Sequence, residues 1–457
     1  MMNKENILSS YDEYEARVGK AASIFIIIAC SLLLLSTARG FIAIALSGLL
    51  EAYFIYNAVF GLLLIFTLWC FFDQQRLHYP KKLKLLLYIN LIFYICWFLP
   101  ELMATRNLKF FLVSSMIPFV MFGFMQIPAN YMRRMFLFLF ILIAVMAIID
   151  FVIANIPSLE LRDTRESLRM TINDTHKAPS RVGFYLRVVG ISGSEHETSS
   201  LLVMFTTFVL ALSNRYMSKP LRAILVYAGL VTLLFTYVAS NIVAGVVCVI
   251  LLVFYYKDYF RTALIAVPLG IFIFYYSLTP GDITKDSDFN IIEGVYLKIS
   301  PAKGDWSAML TQETDDSRLA QDGTLVCYYW QKGCSFLFNE FGGLIIGHEG
   351  ATQMGEIGRI IEVGLLRHTW ESGLITTLCF YVILIFPILL YFRADKFTQQ
   401  QMFPYVCAVA AGILTLWHAG SLFRTSNIFI FYAFYGASIR QYIVSTNFNR
   451  SFLDKKI

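Results

Sequence analysis

Long apolar runs separated by short polar segments recur along the chain from Ala21 to the C-terminus. A bilayer core about 30 Å thick needs about 20 apolar residues per helix, and the runs are of that kind. The first half predicts spans at Ala21–Thr37, Tyr53–Phe72, Leu85–Leu99, Phe110–Ile127, Met135–Ile153 and Thr198–Leu212. The second half predicts spans at Ala223–Val238, Ile242–Tyr256, Ala263–Leu278, Leu374–Tyr391, Met402–Trp417 and Ile428–Ile443. We therefore expect an all-α, polytopic integral membrane protein with about twelve transmembrane helices, forming a single transmembrane domain over residues 1–457.

The composition supports a membrane protein and argues against a nucleic-acid partner. Hydrophobic residues make up 58% of the chain and charged residues 15%, which is more apolar side chain than a soluble core of this length hides. The net charge of +6 would suit a nucleic-acid partner, but the basic residues lie in short loops between apolar runs, so no nucleic-acid partner is expected. Most cysteines lie within apolar runs, whereas Cys327 and Cys334 share one polar loop and could form a disulfide.

Lysine and arginine fall in alternate loops, and this alternation predicts the orientation. The basic loops are Arg76–Lys84, Arg133–Arg134, Arg215–Arg222, Lys257–Arg261, Arg393–Lys396 and the tail at Lys455–Lys456. All of them are cytoplasmic if both termini are cytoplasmic. Two large outer (periplasmic) loops then follow, at residues 156–197 and 279–372, and most of the polar chemistry lies in them.

The first outer loop is basic, and it ends in a run of polar residues directly before a span. That run contains Arg187, Gly190, Glu195 and His196. One guanidinium group can bind two phosphate oxygens at once. An acid and an imidazole side by side could accept a proton from an attacking hydroxyl. Two other interpretations stay open. The arginines could contact lipid head groups, and Glu195 or Glu197 could stabilise the dipole of the next helix, with Thr198 as its cap.

The second outer loop also ends in charged residues before the apolar sequence resumes. They are His348, Arg359, Glu362, Arg367, His368 and Glu371. If this segment is helical, Arg359 and Glu362 share a face, with Arg367 roughly on the same side. The alternative is an exposed ion pair without a functional role.

The arrangement of predicted spans and outer loops resembles that of the bacterial O-antigen polymerase and O-antigen ligase superfamily of membrane glycosyltransferases. One shared pattern is the arginine, glycine and acid or His before a span, here Arg187, Gly190, Glu195 and His196. A second is Glu362 ahead of Glu371, Gly373, Leu374 and Ile375, and a weaker third is Ser240 and Asn241, where relatives often carry Ser-Arg. In the ligase branch the position of Glu362 is typically His followed by Asn, so this resemblance favours the polymerase branch.

The resemblance implies a GT-C-like fold in the cell inner membrane and a substrate carried on undecaprenyl pyrophosphate. A sugar hydroxyl of one repeat unit would attack the anomeric carbon of the growing chain, without a metal or another cofactor. Within that scheme Arg187 and Arg359 would stabilise the leaving pyrophosphate, with His348 and Arg367 as helpers. Glu195, His196 and Glu362 are the candidate bases, and the residues alone do not rank them. Membrane lipid and a chain-length regulator are the other expected partners.

Two alternative functions remain. An O-antigen ligase would share the fold and the leaving group but transfer glycan to lipid A core. A lipid-linked oligosaccharide flippase would need charged residues inside the bundle, and the spans contain few.

Overall fold

The computed structural model describes residues 4–17, 23–38, 120–155, 195–236, 238–256, 374–416 and 427–454, with isolated positions at 58–92 and 181–192. In chain order its helices are α1 (Lys4–Arg17), α2 (Ser23–Thr37), α3 (Val120–Phe124), α4 (Ala129–Asn155), α5 (Glu195–Ala211), α6 (Lys219–Phe235) and α7 (Ala239–Tyr256). They continue with α8 (Leu374–Leu384), α9 (Phe386–Arg393), α10 (Lys396–Thr415) and α11 (Asn427–Asp454). Two short strands, β1 (Arg181–Val182) and β2 (Tyr185–Leu186), pair antiparallel between α4 and α5. The all-helical class predicted from the sequence is therefore confirmed for the described residues, apart from this strand pair.

Helix α5 lies at the centre of the described fold and is buried from Glu197 to Ala211. A helix that is apolar on all sides is expected in such a position. An aromatic cluster joins it to α4, α10 and α11. The Phe136 and Phe434 rings stack at 3.9 Å, the Phe205 ring meets Phe434 at 5.4 Å, and the Phe208 ring meets Tyr405 at 5.5 Å. Such ring pairs add specific geometry to the burial of apolar area.

Polar contacts gather at the two ends of the helix bundle. At one end, which we call the basic end, Arg215 pairs with Asp12, and the Tyr216 hydroxyl donates to Gln401 at 3.5 Å. The start of α4, the turn between α5 and α6, and the start of α10 meet here. Arg133, Arg215 and Arg222, from two loops predicted to share one side of a membrane, therefore lie at one end of the fold.

The other end, which we call the Asp150 end, holds the last turn of α4 and the first turns of α5 and α7. There the Gly190 amide donates to Asp150 Oδ2 at 3.1 Å, and the Val188 amide donates to the Phe235 carbonyl at 3.1 Å. Asn241 contacts the first turn of α5. The described helices α4 to α7 thus run alternately between the two ends.

The outer faces of several helices remain apolar and exposed. On α4 they include Phe138, Ile141, Val145 and Ile148, and on α6 and α7 they include Ile224 and Leu251. Within the described part of the chain, one helix is long and apolar enough to cross a membrane by length and composition, at Ala129–Ile153 with a mean hydropathy of 3.1. Shorter apolar helices occur at Ile26–Thr37 and Asn241–Leu252.

The predicted span Leu374–Tyr391 is helical, but the structure divides it at Ile385 into α8 and α9. Pro387 has no amide hydrogen to donate to the carbonyl four residues earlier, which belongs to Ile383. That carbonyl accepts the hydroxyl of Tyr435 instead, at 2.9 Å. A side chain on α11 thereby satisfies the group that the proline leaves without its helical partner.

Several helix boundaries also differ from the predicted spans. Helices α4, α5, α6 and α10 begin three to six residues before the apolar runs, at Ala129, Glu195, Lys219 and Lys396, because polar first turns do not register in an apolar pattern. Helix α1 was not predicted as an element. The predicted spans Tyr53–Phe72, Leu85–Leu99 and Phe110–Ile127 are described only in part, and Ala263–Leu278 lies outside the described residues.

Helix α10 begins with a capping carboxylate. Asp395 Oδ1 accepts the amides of Phe397 at 3.0 Å and Thr398 at 3.1 Å, and also the Asn449 side-chain amide at 3.1 Å. Its other oxygen accepts the Thr398 hydroxyl at 2.8 Å. Burial alone would raise the pKa of this carboxyl, but the hydrogen bonds outweigh burial and hold the pKa of Asp395 below its usual value.

Candidate functional site

The candidate site lies at the first turn of α5, where Glu195 and Glu197 occupy the N-terminal end of a buried helix. Glu195 and His196 are half-buried, whereas Glu197 is only 7% exposed. The positive end of a helix dipole favours acidic groups in this turn. Glu195 and His196, a carboxylate and an imidazole able to take part in proton transfer, are therefore partly accessible, although Nδ1 of His196 is itself buried; Glu197 is enclosed by the fold.

Asn241 ties this turn to α7 from inside the bundle. Its side-chain amide donates to Ser199 Oγ at 2.6 Å and to Ser200 Oγ at 3.1 Å, and the asparagine is 1% exposed. The two serine hydroxyls in turn donate to the His196 carbonyl at 3.0 Å and 2.9 Å. This network fixes the backbone that carries His196. Sequence reasoning assigned no role to Asn241, and its place after Ser240 was the signal that could have suggested one.

The segment leading into α5 is held by Asp150, at the end of α4. Asp150 Oδ2 accepts the Gly190 amide at 3.1 Å, and Gly190 has a φ of +63°, a conformation that favours glycine. A Cβ at Gly190 would lie 3.0 Å from Thr198 Oγ1, so the contact with the helix also excludes a side chain. The glycine of the sequence pattern is thus required by backbone conformation and by close approach. Asp150 lies near the end of the predicted span Met135–Ile153, and its link to Gly190 was not foreseen.

The sequence suggested Thr198 as a possible cap of the following helix. In the structure Thr198 does not cap α5. The helix begins at Glu195, so Thr198 lies at its fourth residue and is fully buried. Its hydroxyl is 2.6 Å from the Ser192 hydroxyl. Thr198 therefore attaches the preceding segment to the side of the helix.

A second anchor of this segment reaches the end of α6. The Val188 amide donates to the Phe235 carbonyl at 3.1 Å, and the Phe151 and Phe235 rings stack at 4.0 Å. Val188 is fully buried. Strand β2, just before Val188 in the chain, also packs on α4.

The other predicted site residues fall outside the part of the chain that the structure describes. They are Arg187, His348, Arg359, Glu362 and Arg367, together with Cys327 and Cys334. The structure places Glu195 and His196 on one turn of α5. That Arg187 and Arg359 lie close to them remains a prediction. Among the described residues, no group of three or more His, Cys, Asp or Glu side chains is placed to hold a metal ion.

The arrangement at α5 can do two kinds of chemistry. A carboxylate or imidazole held on a fixed backbone can accept a proton from a hydroxyl within hydrogen-bonding reach. The N-terminal amides of the same helix favour negative charge nearby. Neither a protein-family model nor a curated protein matches the chain. The resemblance to the O-antigen polymerase and ligase superfamily therefore depends on the sequence patterns given above.

Proposed function

We propose that the chain is a polytopic glycosyltransferase of the inner membrane, with both termini cytoplasmic, that acts as an O-antigen polymerase. The observation that carries this proposal is the placement of Glu195 and His196. They lie on the first turn of a buried helix, held by Asn241, at the end of the bundle opposite Arg133 and Arg215. A pair of proton-accepting groups at the outer end, with the predicted cytoplasmic arginines at the other, suits chemistry at the periplasmic face.

The exposed apolar faces support the membrane part of this proposal. Ile141, Ile148, Ile224 and Leu251 lie on the outside of three different helices with at least two-fifths of their surface accessible. In water such faces would cost free energy at roughly 25 cal/mol per Å² of apolar area, whereas lipid removes that cost. The remaining predicted spans complete the proposed set of about twelve.

The reaction forms one glycosidic bond and breaks one bond to pyrophosphate. A hydroxyl oxygen of the acceptor repeat unit attacks the anomeric carbon of the growing glycan, and its proton passes to a base. The carbon–oxygen bond to undecaprenyl pyrophosphate breaks, and the electron pair leaves with the pyrophosphate. Glu195 or His196 accepts the proton, with Glu362 the alternative, and Arg187 and Arg359 stabilise the charge that develops on the leaving group.

Point variants in the source strain test this proposal. Arg187→Ala, Arg359→Ala and Glu195→Gln are expected to abolish long glycan chains while the protein stays in the membrane at wild-type abundance. Arg134→Ala is the matched control, because Arg134 is an exposed arginine at the basic end of α4 and is expected to leave the glycan ladder unchanged. Glycan length is read on gels, and abundance by immunoblot of membranes.

The glycan pattern of a deletion strain separates the proposed polymerase from the other two functions. Core bearing one repeat unit indicates a polymerase. Core without any attached repeat unit indicates a ligase, and repeat units retained on the cytoplasmic side indicate a flippase. Long chains in the Arg187→Ala and Arg359→Ala strains would exclude the pyrophosphate-binding role of those arginines.

A further inference from the structure

A cavity of about 480 Å³ opens at the basic end, far along the bundle from Glu195. It is bounded by α1, the start of α4, the turn between α5 and α6, the end of α7, the start of α10, and α11. Ligand sites for small molecules in proteins commonly enclose about 300–1,000 Å³. The volume therefore suits a small polar group and not only a few water molecules.

The charged side chains lining the cavity are mostly arginines. Arg133, Arg215 and Arg222 line it, against the two carboxylates of Asp12 and Glu15. Asp12 pairs with Arg215, and Glu15 pairs at 2.8 Å with Arg440, which lies behind the wall. Arg133 and Arg222 line the cavity as well, and the Asp12 carboxylate also interacts electrostatically with Arg133. The electrostatic balance of the lining is positive.

Both of these further arginines have neutral groups among their partners. The guanidinium of Arg133 lies 3.5 Å from the centre of the Tyr216 ring and donates to the Asn130 side chain. Arg222, 2% exposed, donates to Asn214 Oδ1 at 3.0 Å and to the Met217 carbonyl at 3.1 Å. Stacking and hydrogen bonding reduce the conformational entropy that the arginines lose when an anion binds.

The remaining wall offers side chains that recognise hydroxyl-bearing groups. Gln400, Gln401 and Gln441 supply amides, while Tyr255 and Tyr405 supply aromatic rings. Paired guanidinium N–H groups match the oxygens of a phosphate, and amides with aromatic rings suit the glycerol-sized or sugar-sized group attached to it.

We propose that this cavity is a binding site for a phosphate ester, whose phosphate is held by Arg133 and Arg222. The ester is either the head group of an anionic phospholipid or a soluble compound of the same chemistry. The site lies at the opposite end from the proposed catalytic residues, and the inference does not depend on the polymerase assignment. It requires only the cavity and its arginines.

The test measures the unfolding temperature of the full-length protein in two settings. In detergent, glycerol 3-phosphate is titrated against sodium chloride at matched ionic strength. In lipid nanodiscs, phosphatidylglycerol mixed with phosphatidylcholine is compared with phosphatidylcholine alone. Two variants are tested. Arg133→Gln removes the positive charge, whereas Asn130→Asp places a carboxylate beside Arg133 and leaves the arginine itself in place. Arg134→Gln is the control, because that neighbouring arginine is exposed and lies outside the lining.

We expect the wild type and Arg134→Gln to be stabilised in at least one setting, and Arg133→Gln to bind about tenfold more weakly, as loss of a charge-assisted contact to phosphate implies. Stabilisation in detergent would identify a soluble ester, and stabilisation in nanodiscs alone would identify a lipid head group. If Arg133→Gln does not fold, Asn130→Asp gives the same test, since an acidic residue is tolerated in the first turn of α4. Equal responses of Arg133→Gln, or of Asn130→Asp, and Arg134→Gln would overturn the proposal, as would no response of the wild type in either setting.

Discussion

The ion pair between Glu15 and Arg440 gives the sharpest prediction about stability. Arg440 is 0% exposed, and its Nε donates to Glu15 Oε1 at 2.8 Å. Its other nitrogens donate to the Met125 carbonyl at 3.0 Å and to the Glu15 carbonyl at 3.1 Å. Glu15 Oε1 also accepts the Ala129 amide at 2.8 Å, which is the first amide of α4. One buried pair thus joins α1, the turn after α3, the start of α4, and α11.

Removing either partner leaves the other charge buried and without its counterion, which typically costs about 3–5 kcal/mol. We therefore expect Arg440→Met and Glu15→Leu each to lower the free energy of unfolding by about that amount. The double variant should lose much less than the sum of the two, because neither charge then remains. The measurement that tests this is the coupling energy between Glu15 and Arg440 in a double-mutant cycle. It is obtained from unfolding in mixed micelles of dodecyl maltoside and sodium dodecyl sulfate.

The matched control is Glu13→Leu, which replaces an exposed glutamate of the same helix and should change stability by less than about 0.5 kcal/mol. Additive losses in the Glu15 and Arg440 variants would refute the reasoning. Additivity would mean that the two side chains do not share one buried interaction.

Three further predictions concern single positions. Asp395→Asn keeps a capping oxygen and loses the charge, so it should cost about 0.5 kcal/mol at pH 7; because the folded-state pKa of Asp395 is lowered, this cost should be lost as the pH falls through that folded-state pKa, which lies below the usual value of an aspartate. Gly436→Ala should cost about 1–3 kcal/mol, because the added Cβ would lie 2.7 Å from the Met121 backbone carbonyl, whereas Gly61→Ala, with nothing within 4 Å, should not destabilise. Asn241→Ala should reduce glycan elongation at unchanged membrane abundance, because the first turn of α5 loses its tie to α7.

Each of these has a result that would contradict it. A stability difference for Asp395→Asn that does not shrink as the pH falls below the usual aspartate pKa would show that the charge is not its cause. Equal effects of Gly436→Ala and Gly61→Ala would show that close approach of α11 to α3 does not matter. A normal glycan ladder in the Asn241→Ala strain would separate the hydrogen-bond network from the proposed site.

The apolar pattern predicted most of the described helices, because burial and lipid both select continuous apolar runs. It missed α1, since Tyr11 and Glu15 are buried by residues more than 400 positions away in the chain and not by their own neighbours. It also joined α8 and α9, although Pro387 was visible in the sequence. The proline removes one helical hydrogen bond, and a hydroxyl from α11 satisfies the freed carbonyl through a tertiary contact that the sequence does not show.

The candidate site, like the fold, could be predicted from the sequence only in part. Glu195 and His196 were identifiable from residue type and from their place before a span, and they lie on one turn as expected. The hydrogen bonds from Asn241 and to Asp150 could not be predicted, because they join three segments that are distant in the chain. The convergence of Arg187 and Arg359 remains a prediction.

Reconstitution of the reaction tests the central claim most directly. The lipid-linked repeat unit that accumulates in the deletion strain is supplied to the purified protein in lipid nanodiscs, and the products are separated by length. The wild type should convert single repeat units into a ladder and release undecaprenyl pyrophosphate, whereas Glu195→Gln and Arg187→Ala should leave the substrate unchanged. Single units that persist with the wild type, or a full ladder from Arg187→Ala, would contradict the account.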